Sequence, residues 1–137
     1  RSATHGARLI MDKSRPTVVV VDNSPSVKSL FERSSAELGI ELKTFNSATQ
    51  SLAYLETEQP ALLFLNIIMP DKDGLTFLRE LREMPLHQNT SVIMISSKDY
   101  SQDRLAAQEL GALEFMSKPM PMQAIADAIQ RYVNSAG

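Results

Sequence analysis

Five polar residues stand where apolar runs stop. Asp22 and Asn23 follow a β-branched run, Asn66 follows Ala61-Leu62-Leu63-Phe64-Leu65, Ser96 closes Val92-Ile93-Met94-Ile95, and Lys118 comes just after Phe115-Met116. The set offers one carboxylate, one ammonium, one hydroxyl and two amides. A carboxylate at such a position can attack an electrophile or hold a hard cation, which prefers anionic oxygens in near-octahedral geometry. The amides of Asn23 and Asn66 have no anionic oxygen. Taken singly, each asparagine also reads as a loop residue making turn hydrogen bonds.

The elements that must position these residues are legible in the runs themselves. Uniform apolar stretches at 17–21, 61–65 and 92–95 read as strands buried on both faces of a parallel sheet. Glu41-Leu42-Lys43-Thr44-Phe45 alternates, as an edge strand wetted on one side does, and 114–116 is a short last strand. Helical spacing lies between them: Val27, Leu30, Phe31 and Leu38 before Gly39; Leu52 and Leu55 after Ser47; Leu75, Leu78 and Leu81 before Pro85; a segment from Ser101 to Leu110; and Ile125, Ile129, Tyr132 and Val133 at the end. Ser24-Pro25 gives an N-cap and a proline at the first helical position. Pro70 and Asp73-Gly74 turn the chain from the third strand into its helix.

Five alternations of strand and helix call for an α/β fold of three layers, with a five-stranded parallel sheet between helices. Right-handed crossovers and central uniform strands fit the order 2-1-3-4-5, a flavodoxin-like arrangement. Its crevice lies outside the carboxyl ends of the first and third strands. Asp22, Asn23, Asn66, Ser96 and Lys118 all rim that crevice.

Composition excludes other classes. The 137 residues suit one domain with its own core; there is no cysteine for a disulfide or thiolate metal site; 43% apolar and 22% charged residues are ordinary for a globular protein. No apolar run reaches the length of a membrane span and no signal peptide is visible, so a cytoplasmic protein without membrane contact is expected. Residues 1–16 hold Arg1, Arg8, Lys13 and Arg15 against Asp12, leaving −5 on the remainder of a chain whose formal charge is −2. An acidic body argues against direct nucleic-acid binding. Residues 1–16 are set aside as a flexible or appended segment, 17–134 form the domain, and 135–137 begin a linker or tail.

The pattern of strand, acidic position, two residues, Met69-Pro70 and Asp73-Gly74 resembles the receiver domain of bacterial two-component response regulators. The likeness covers residues 17–133. It implies that Asp22 and Asn23 match an acidic pair for magnesium, Asn66 the phospho-accepting aspartate, Ser96 the hydroxyl residue of the fourth strand, Phe115 the aromatic rotamer switch and Lys118 the lysine of a Lys-Pro pair with a cis peptide. Two carboxylates of that pattern are amides here. The expectation is therefore a degenerate pseudo-receiver: a regulatory, non-enzymatic module of a phosphorelay that acts through protein contacts without aspartyl phosphorylation. No cofactor is expected, and magnesium is expected to bind weakly or not at all, through Asp22 and the Ile68 backbone if anywhere. Signalling proteins or an attached output domain are the implied partners, with a homodimer through helix four to helix five open. Tyr100, Met116, Met120 and Met122 are the partner-surface candidates, since thioethers suit adaptable contacts.

Two other readings remain open at this point. One is an ordinary phospho-accepting regulator carrying an Asp-to-Asn change. The other is an aspartate-nucleophile phosphatase, disfavoured because Ser24 stands where a second Asp is wanted and the chain leaves no room for a cap domain. A flavin or dinucleotide module lacks its glycines in the first turn. Asp71, Lys72 and Asp73 read as an exposed turn, and His5 and His87 have no partners at ligand spacing. Loops 66–73 and 97–101 are expected to be the mobile ones.

Overall fold

A computed structural model describes residues 15–136, with side chains through Val133. His5 and nearly all of the N-terminal segment lie outside the described residues. Five strands, β1 (Thr17–Val21), β2 (Glu41–Phe45), β3 (Leu62–Asn66), β4 (Val92–Ser96) and β5 (Glu114–Ser117), alternate with α1 (Pro25–Ser35), α2 (Ala48–Leu55), α3 (Gly74–Glu83), α4 (Ser101–Glu109) and α5 (Met122–Ala136). A short 3₁₀ turn, Pro85–His87, follows α3. All pairings are parallel and the order is β2-β1-β3-β4-β5. The order derived from the runs is the one observed.

The uniform strands are buried because alternate residues serve two separate cores. Val18, Val20, Leu62, Phe64, Ile93 and Ile95 point to α1 and α5, meeting Phe31, Ile125 and Ile129. Val19, Val21, Leu63, Leu65 and Met94 point the other way, to Leu55, Phe77, Leu78 and Leu81. Phe31 sets its edge against Phe64 at 4.7 Å between ring centroids. Each fully buried aliphatic side chain contributes roughly 1.5–3 kcal/mol, so the three central strands are sealed on both faces and open only at their ends, while the edge strands β2 and β5 stay partly exposed.

The helices start where their caps say. Val27 N–H reaches Ser24 Oγ at 3.4 Å with Pro25 at the first position, and Gln50 N–H reaches Ser47 Oγ at 3.1 Å. Asp73 Oδ1 accepts from Thr76 N–H at 2.9 Å and opens α3. Gly74 is fixed by proximity: a Cβ there would lie 2.2 Å from the Asn66 carbonyl oxygen.

Three details add to the sequence reading. Arg15 and Pro16, at the end of the segment set aside, bond to the chain before β2: Arg15 Nη2 donates to Ile40 O at 2.6 Å and Glu41 N–H to Pro16 O at 2.8 Å. Helix α5 runs to Ala136. On α3 the face turns toward Phe77, while Leu75 is only half-buried.

Candidate functional site

Asp22 directly follows β1 and is fully buried. Its Oδ1 accepts from Ser24 N–H at 2.9 Å, which folds the β1–α1 turn over the carboxylate. Its Oδ2 lies 2.8 Å from Lys118 Nζ, which comes in from the far side of the crevice on the β5–α5 loop. That contact is a close ion pair whose angles fall short of a hydrogen bond, and Oδ2 has no aligned hydrogen-bond partner among the described residues. The Lys118-Pro119 peptide is cis.

Asn66 ends β3 with 3% of its surface exposed. Its Nδ2 donates to the carbonyl of Ile68 at 2.6 Å. The amide therefore serves its own loop. Ser96, buried at the end of β4, accepts from Lys98 N–H through Oγ at 3.0 Å and shapes the β4–α4 turn. Lys118 N–H donates to Ser96 O at 2.8 Å, which joins the two strand ends. Asn23 is exposed and stands apart from these contacts.

Asp22, Asn66, Ser96 and Lys118 thus close the carboxyl ends of β1, β3, β4 and β5. Phe115 is half-buried against the second core, with the Arg104 guanidinium 4.7 Å from its ring centroid. Arg104 in turn pairs with Asp99. Beside the crevice, a cavity of about 450 Å³ on the α1 side holds Ser24, Val27, Leu30, Arg33, Lys118 and Met120 in its wall.

The partner-surface expectation divides. Tyr100 and Met122 are exposed, at 53% and 43%. Met120 is 5% exposed and belongs to the first core with Ile125 and Ile129, so it offers no surface. Met116 is half-buried against the same core. Leu105, at 56%, and Leu113 are exposed apolar residues that the sequence reading passed over, because nothing marks them apart from core leucines until the packing is known.

The acidic turn also does more than expected. Asp71 Oδ2 accepts from Thr49 N–H at 2.9 Å and from Thr49 Oγ1 at 2.7 Å, fastening the β3–α3 loop to the start of α2. The Thr49 amide, then its hydroxyl, holds the Asp71 carboxyl below its ordinary range. His87 is a satisfied core residue: Nε2 meets Leu55 O at 2.5 Å and Nδ1 meets Thr90 Oγ1 at 2.8 Å.

The resemblance implies a divalent cation, and the donor set does not fit one. Asp22 is the one carboxylate of the crevice and already faces the Lys118 ammonium; the Ile68 carbonyl already accepts from Asn66; Asn23 supplies an exposed neutral amide. Among the described residues, no group of three or more His, Cys, Asp or Glu could hold a metal. A hard cation would have to displace an ammonium and an amide for little anionic charge in return.

A regulatory fold with this crevice has known counterparts. Residues 18–130 match the response regulator receiver domain, and the chain belongs to that family. Among characterised relatives, it is 30% identical over 102 residues to the alkaline phosphatase synthesis transcriptional regulatory protein PhoP of Bacillus subtilis, covering 74% of this chain and 42% of PhoP. It is 32% identical over 105 residues to the cyclic di-GMP phosphodiesterase response regulator RpfG of Xanthomonas campestris, covering 75% of this chain and 28% of RpfG. The chain therefore spans less than half the length of either. The phosphorylated cyanobacterial phytochrome response regulator RcpA superposes with a TM-score of 0.82 at 18% identity, covering 90% of this chain and 98% of that one, which shows the shared fold. Among the described residues, no helix is long and apolar enough to cross a membrane.

Proposed function

We propose that this receiver domain is a regulatory, protein-binding module of a two-component signalling protein and works without aspartyl phosphorylation. The observation that carries the reading is Asn66: the residue at the end of β3 is an amide, buried, with its nitrogen committed to Ile68 O. An amide lacks the anionic oxygen that attacks phosphorus. The Asp22–Lys118 pair supports the same reading, since the ammonium balances the one carboxylate of the crevice.

Output then comes from protein contacts. Exposed apolar side chains stand at the start of α4 (Tyr100), on α4 (Leu105), between α4 and β5 (Leu113) and at the start of α5 (Met122), and such side chains suit contact with a signalling partner, an attached output domain or a second copy. The test is intact mass after incubation with acetyl phosphate and magnesium. No phosphoryl adduct is expected; a stoichiometric, hydroxylamine-sensitive phosphate on the domain would overturn the reading.

A further inference from the structure

We infer that the Asn66 amide is a built-in replacement for a metal ion: by capping the Ile68 carbonyl it keeps the β3–α3 loop closed, and this side chain, rather than Asn23, excludes divalent cations from the crevice. The inference concerns the same pocket as the regulatory reading and rests on it only in taking that pocket to be free of phosphoryl chemistry.

The loop leaving β3 is held at three points. Asn66 Nδ2 donates to Ile68 O at 2.6 Å, Gly74 N–H donates to Ile67 O at 2.7 Å, and Thr49 gives its N–H and hydroxyl to Asp71 at 2.9 and 2.7 Å. Each bond is made by protein groups, so the loop needs no ion to order it.

Only an amide can make the first bond. An ionised carboxylate of the same shape has no proton to donate, and would set an anionic oxygen against the Ile68 carbonyl oxygen across a 2.6 Å gap. It would also place a second carboxylate in a crevice where Asp22 already has the one nearby ammonium, Lys118. Those oxygens repel one another until a divalent cation draws them together. The Asn23 side chain is exposed and enters neither the amide cap nor the Asp22–Lys118 pair, so giving it a charge leaves both in place.

The experiment is a set of thermal melts in EDTA and in saturating magnesium for the wild-type chain, Asn66→Asp, Asn66→Ala and Asn23→Asp, with amide exchange of residues 67–70 read alongside. Wild type and Asn23→Asp are expected to melt at the same temperature with and without magnesium. Asn66→Asp should melt lower in EDTA and recover by on the order of 5 °C in magnesium. Asn66→Ala should exchange its loop amides faster than wild type and ignore the metal, which separates loss of the cap from gain of a ligand. If Asn66→Asp is unfolded in EDTA, recovery of its circular dichroism on adding magnesium is the supporting result and failure to recover is the opposing one. A wild-type melt that rises with magnesium, or a response gained by Asn23→Asp and not by Asn66→Asp, overturns the inference. The two readings fail separately: a phosphorylated wild type would sink the regulatory one, and a metal-responsive but unphosphorylated wild type would sink this one.

Discussion

Lys118 and Asp22 face each other across the crevice with the carboxylate fully buried and the lysine mostly so. Removing one member of such a pair costs more than the pair contributes, because the other charge stays buried without compensation. Lys118→Ala is therefore expected to destabilise the domain by about 3 kcal/mol, and Lys118→Ala combined with Asp22→Ala by less than the sum of the singles; urea melts of the cycle check this. At Asp71 the sign follows from its lowered carboxyl pKa. Its bonds to Thr49 are intact above the ordinary carboxylate range and are lost as pH falls through the depressed folded value. The Thr49 amide resonance should move on acidification, and Asp71→Asn should abolish that movement.

Among the elements, the turn from β3 into α3 is the least tolerant. Gly74→Ala drives a methyl into the Asn66 carbonyl, a backbone atom that cannot swing aside, and is expected to cost about 3 kcal/mol, measured by denaturant midpoint. The elements were readable because each carries a local signal: three uniform apolar runs for the central strands, Ser24 and Ser47 ahead of their helices, Asp73-Gly74 as a turn, and polar residues at the strand ends. What stayed hidden depends on partners far along the chain. His87 finds the Leu55 carbonyl across 32 positions, and Thr49 finds Asp71 across 22. Met120 looked like a surface thioether in a Met-rich stretch, yet α5 folds back over α1 and draws it under Ile125 and Ile129. Neither periodicity nor composition reports such pairings. Asn66 was legible as a departure from the receiver pattern, whereas its bond to Ile68 became visible only with the loop's course.

At the scale of the whole molecule, two faces differ in what they leave open. Helix α4 buries only Ala107, and Tyr100 and Leu105 stand out from its neighbourhood. Leu105→Lys should leave the melt within about 0.5 kcal/mol of wild type, as for an exposed site, and reduce self-association or partner capture in sedimentation experiments. The opposite end of the sheet is stitched by Arg82. Its Nη1 donates to His87 O and Thr90 O at 2.7 and 2.8 Å, Nε to Leu110 O at 2.8 Å and Nη2 to Gly111 O at 3.4 Å. Burial lowers the pKa of this guanidinium, and Arg82→Ala is expected to cost about 3 kcal/mol, with Arg82→Lys recovering less than half, since an ammonium cannot span that fork.

That clasp has a mechanical consequence. Arg82 grips the end of α4, whereas Tyr100 at its start makes no side-chain cap. A rod clasped through main-chain carbonyls at one end and held at the other by the exposed side chain of Arg104, on Asp99 and the Phe115 ring, responds to a push by swinging, not sliding. A small displacement of the β4–α4 turn, where Ser96 holds Lys98, would be carried outward along α4 as an arc about Leu110, with the widest sweep at Tyr100.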